Sequence, residues 1–133
     1  MSVSRKIAEL IIYISVEGRE TTIIFNKYDS GYSMKRKTIK GQNEKYIIDP
    51  QTELKDICHF TPIEITLKVL DQQIAYCSNG NLSDFMYAFC DITYVVPEPT
   101  LRMLNLRTNI TLLENGIAIC TNTARGLMFF KQT

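Results

Sequence analysis

Ile63-Glu64-Ile65-Thr66-Leu67-Lys68-Val69 is the stretch whose reading decides the fold. Apolar residues occupy every second position, and Glu64, Thr66 and Lys68 fill the gaps. Side chains alternate across a strand, so this spacing predicts one face on a core and one in water. Half-wet strands belong to antiparallel sheets, because parallel sheets are covered on both faces. Asp71-Gln72 allows a turn into a partner strand over residues 73–77.

Other segments extend the pattern. Ile110 to Cys120 reads as a hairpin, since Asn115-Gly116 suits the positive φ angles of a two-residue type I′ loop. Residues 126–131 read as a last strand. Near the N-terminus, Ile7, Leu10, Ile11 and Ile14 fall at helical spacing, yet the segment is rich in β-branched and aromatic residues. That composition favours a hairpin over residues 9–28, with at most a single helical turn ahead of it. A helix is predicted from Leu82 to Ile92, capped by Asn81 or Ser83, with Leu82, Phe85, Ala88, Phe89 and Ile92 as its apolar stripe. A shorter one is predicted from Pro99 to Asn105, and a single turn after Asp49-Pro50. Six to eight strands with one or two helices, and no βαβ alternation, give an α+β class: a hairpin-rich, mainly antiparallel sheet. A chain of 133 residues is expected to form a single domain, 1–133. Any aromatic face left open on the sheet is expected to be covered by a second copy.

Several kinds of chemistry lack their residues. Cys58, Cys77, Cys90 and Cys120 never approach Cys-x-x-Cys spacing, and His59 is the one histidine, so no metal site is expected. A Cys58–His59 dyad is stereochemically poor, because strand neighbours face opposite sides. Asp84 and Asp91 lie two helical turns apart, too far for joint acid–base work. The six glycines do not cluster, so no phosphate-cradling loop or cofactor site is expected. Leu10 to Val16 is the longest apolar run, far short of the ~20 residues that cross a bilayer. With no cleavage site behind it, the expected location is intracellular, cytosolic or nuclear.

One asymmetry remains. The chain has 15 basic and 14 acidic residues, yet Lys35, Arg36, Lys37, Lys40 and Lys45 crowd together against Glu44 alone. As a strand, the tract shows positive charge on both faces, which predicts an edge strand or an exposed hairpin. The expected function is therefore that of a small non-enzymatic binding or assembly protein, homo-oligomeric, with this arm on a phosphate-bearing partner. That partner is nucleic acid, a nucleotide or an anionic membrane. Arg102, Arg107 and Arg125 are expected in support, and a sheet face or edge is left for another protein. The alternative is a structural or protein–protein module, such as a coat, matrix or accessory protein of viral or phage type. In that case the basic run only keeps an edge soluble. A third reading is an enzyme whose site is assembled from distant residues.

Overall fold

The central strand is β1 (Lys6–Val16), whose β-branched residues settle the N-terminal ambiguity in favour of strand. Leu10, Ile12 and Ile14 point to one side and are buried, while Ile11 and Tyr13 on the other side are half-buried. This chain is described here from a computed structural model over residues 5–57, 62–78, 81–101 and 109–124.

Beside β1 run β2 (Arg19–Tyr28), β3 (Gly31–Thr38) and β4 (Gly41–Ile47), a meander of hairpins. The chain then leaves that edge and returns on the other side of β1 as β5 (Pro62–Val69) and β6 (Gln72–Ser78). The result is one antiparallel sheet in the order β4-β3-β2-β1-β5-β6. Directly opposed residues share a face, so the rows Leu67–Leu10–Phe25–Met34 and Ile65–Ile12–Ile23 line one side. All of them are buried.

That side is covered by α2 (Leu82–Asp91), which contacts β1 and β5. Its cap is Asn81, whose side chain accepts a hydrogen bond from the Ser83 amide at 2.9 Å. Leu82, Phe85, Ala88 and Phe89 are buried, as the stripe predicts, with Met86 between them. The α1 turn (Pro50–Leu54) is opened by Asp49, which accepts from the Gln51 amide at 3.0 Å, with Pro50 at the first helical position. A second sheet, in the order β7-β9-β8, is built from β7 (Ile92–Pro97), β8 (Asn109–Leu112) and β9 (Ile117–Thr121). Val95 and Ile119 carry it into the same core. Arg5 donates to the Val95 carbonyl at 2.9 Å and ties the start of β1 to β7.

The α+β, mainly antiparallel class holds, with nine strands and three short helices among the described residues rather than six to eight and one or two. Four local expectations are corrected. The basic strand β3 is not the edge, because β4 pairs outside it. The turn between β5 and β6 is Leu70-Asp71, one residue earlier than expected, with φ of 47° and 67°. The β8–β9 loop has three residues, Glu114 to Gly116. The Leu113 amide donates the closing bond to the Ile117 carbonyl (2.8 Å), and only Gly116 takes a positive φ, at 84°. Asn115 therefore leaves the left-handed region and its side chain instead accepts from the Ile117 amide at 3.2 Å. The helix expected from Pro99 begins one residue earlier, as α3 (Glu98–Leu101). Its continuation to Asn105 and the strand at 126–131 lie outside the described residues, as do Cys58 and His59.

Candidate functional site

The basic tract occupies the outer half of the β3–β4 hairpin. Thr38 pairs with Gly41, so Ile39 and Lys40 form a two-residue loop, and Gly41 takes a φ of 136° that favours glycine. The Lys40 amide donates to the Thr38 hydroxyl at 3.3 Å and fixes the loop. Pairing of β3 with β2 ends at Lys37 opposite Thr22, after which the tip parts from its neighbour. A shallow wedge of about 460 Å³ opens there, lined by Tyr13, Arg19, Glu20, Thr22, Lys37 and Ile39 among others.

Register decides which charges are free. Lys35 lies opposite Glu44 and pairs with it at 3.8 Å, while Ser33 donates to the same carboxylate at 3.1 Å. Lys45 reaches Glu53 of α1 at 3.5 Å. Among the described residues, Arg36, Lys37 and Lys40 have no ion-pair partner, and all are exposed. Lys37 stands on the open face of the sheet, Arg36 on the helix side and Lys40 in the loop. Positive charge on both faces is what alternation implies, and the hairpin is the exposed one of the two geometries expected. Arg102, Arg107 and Arg125 lie outside the described residues, so their expected place beside the tract has no structural description.

The loop also displays Ile39, 95 % exposed. Strand alternation carried through the tract would put Ile39 on the face of Lys35 and Lys37. The signal against that was Gly41, which closes the strand and leaves Ile39 and Lys40 as its loop. Tyr46 and Ile48, at 87 % and 98 % exposed, stand toward the other end of β4.

The open face of the six-stranded sheet is mixed in charge. Tyr76 donates to Glu64 at 3.0 Å, and Tyr13 is bound to Glu20; each hydroxyl is held above the ordinary tyrosine pKa by that carboxylate. Phe25, Phe85 and Phe89 are in the core, not on this face. A depression of about 300 Å³ at the start of β1 is lined by Arg5, Lys6 and Lys68 together with Glu9 and Asp71; Lys6 pairs with Glu9 at 3.2 Å, and Arg5 bonds Val95.

One cation is hidden. Lys27 is 9 % exposed, and its ammonium donates to the carbonyls of Phe89 (3.4 Å), Cys90 (2.9 Å) and Ile92 at the end of α2. It also lies 5.4 Å from the centre of the Tyr32 ring. Lysine at a helix C-terminus meets unsatisfied carbonyls and the negative end of the macrodipole. Nothing in the sequence around Lys27 announces this except its parity with Ile23 and Phe25. Asp91 is structural as well: its carboxylate accepts from the Thr123 amide and hydroxyl, at 3.3 and 2.9 Å, remote from any partnership with Asp84.

Among the described residues no group of three His, Cys, Asp or Glu is placed to hold a metal, and no helix is long and apolar enough to cross a membrane. No protein-family model, curated protein or solved structure matches the chain.

Proposed function

We propose that this chain is a non-enzymatic binding protein that contacts a phosphate-bearing partner through the tip of the β3–β4 hairpin. The observation that supports this is the set Arg36, Lys37 and Lys40, exposed and without acidic partners among the described residues. Lys35 and Lys45 move out of the contact set, because Glu44 and Glu53 already balance them. They hold the hairpin's shape instead. Arg19 lines the wedge with Lys37, but Glu20 lines it too, so the neighbouring β1–β2 turn adds no net positive charge.

The test is salt-dependent binding to two probes, a single-stranded RNA oligonucleotide and phosphatidylserine vesicles. Contact through three cations predicts a log–log salt slope of roughly −2 to −3 on the RNA probe, if RNA binds. Replacing Arg36→Glu, Lys37→Glu and Lys40→Glu together is expected to abolish binding to whichever probe is bound. Neutralising the paired Lys35 with Lys35→Gln is expected to have little effect. Absence of binding to both probes, or binding untouched by the triple change, overturns the proposal; the tract then serves only to keep the hairpin soluble.

A further inference from the structure

We infer that the partner of the hairpin tip is the surface of an anionic bilayer, with Ile39 entering the headgroup layer and Arg36, Lys37 and Lys40 held at its phosphates. This rests on the phosphate-contact reading above and narrows it to one partner. Ile39 is the observation that selects the bilayer. An isoleucine 95 % exposed at a loop tip, followed by Lys40 and preceded by Lys37 and Arg36, places an apolar point inside a ring of cations. Anionic lipid offers both complements at once, a charged plane and an apolar layer beneath it.

The spacing fits. At the rise of a strand, Lys37 and Arg36 stand roughly 7 and 10 Å behind Ile39. Interfacial side chains settle about 5–10 Å into the headgroup boundary. When Ile39 reaches that depth, both cations lie at the level of the lipid phosphates. The loop residue Lys40 reaches the same plane on its flexible stem.

Nucleic acid fits less well. Sequence-tolerant binding to single strands uses aromatic rings for stacking along a cationic track. Isoleucine has no π face, and the hydroxyls of Tyr13 and Tyr76 are committed to Glu20 and Glu64. A strand laid across the open face would also meet Glu9, Glu20 and Glu64, which share that face by register. At the tip itself Glu17 and Glu20 belong to the neighbouring β1–β2 turn beside Arg19, whereas Arg36 and Lys37 at the end of β3 and Lys40 in the loop are the hairpin's own cations.

The sequence contains no tryptophan, so Ile39→Trp supplies a single tryptophan at the tip, excited selectively over the tyrosines. On vesicles of mixed phosphatidylserine and phosphatidylcholine its emission is expected to shift to the blue. On pure phosphatidylcholine the shift is expected to be absent. Ile39→Ser, a change at an exposed position that leaves the core intact, is expected to weaken co-sedimentation with the anionic vesicles about tenfold. Charge reversal at Arg36, Lys37 and Lys40 is expected to remove it. If the protein binds RNA and ignores the vesicles, the bilayer inference fails and the phosphate-contact reading stands. If Ile39→Ser leaves vesicle binding unchanged, insertion of the tip is wrong. Failure to bind either probe fells both.

Discussion

Lys27 shows how much of the interior depends on a residue type that sequence patterns assign to the surface. Burial lowers the pKa of its ammonium, and the carbonyls at the end of α2 hold the charge in place. Burial acts in the opposite sense on its neighbours, raising Cys90 from 9.0 to about 11 and Tyr32 from 10.0 to about 12. The consequences for stability follow from which state binds more protons. Cys90 and Tyr32 keep their protons in the fold after the unfolded chain has lost them. Their contribution is complete below pH 9 and is lost as pH rises through about 11 and about 12. Lys27 works the other way, adding stability as it deprotonates ahead of the unfolded chain, below 10.5. Cys120, Tyr13 and Tyr76 are raised as well, against Lys27 alone, so the urea midpoint is expected to fall between pH 9 and pH 11. With Cys90→Ala that fall becomes shallower. An identical slope in the variant would assign the alkaline loss to other groups.

Turns were the least legible elements, and the reason is local. Alternation in β5 placed Ile65, Leu67 and Val69 in the core, and the Asn81 cap with its apolar stripe placed α2, because each signal is repeated along an element. A turn is set by two or three dihedral angles. Leu70 is apolar and reads as the end of a strand, yet it adopts a φ of 47° between Val69 and Gln72. Asn115-Gly116 matches the two-residue loop so well that sequence favoured it, while the structure uses Glu114 as well and needs a positive φ only at Gly116. The left-handed pair Leu70-Asp71 suggests an improvement. Asp71 is exposed at a φ of 67°, where a side chain costs about 1 kcal/mol that glycine avoids. Asp71→Gly is expected to raise the melting temperature by a few degrees. A lower one would mean that the carboxylate contributes more to the turn than the backbone loses.

At the scale of the molecule, the basic tract was legible as composition and illegible as a site. That Lys35 meets Glu44, and Lys45 meets Glu53, follows from strand register and from where α1 docks, neither of which a charge count contains. That β3 lies inside β4 follows from the order of the sheet. The same order leaves two outermost strands, and they differ. β4 carries Glu44 and Lys45, whereas Gln72 to Ser78 in β6 has no charged residue, and no described strand pairs with its far side. An uncharged border of unpaired amides and carbonyls is a template onto which a further chain can add. Nucleated fibril growth is therefore expected to start at β6 rather than at β4. Gln73→Lys, at an exposed position, is expected to lengthen the lag before thioflavin fluorescence rises in agitated samples; an unchanged lag would place the nucleus elsewhere. The basic hairpin and this neutral border stand at opposite ends of one sheet, so among the described strands one flank carries charges that oppose runaway polymerisation and the other carries none.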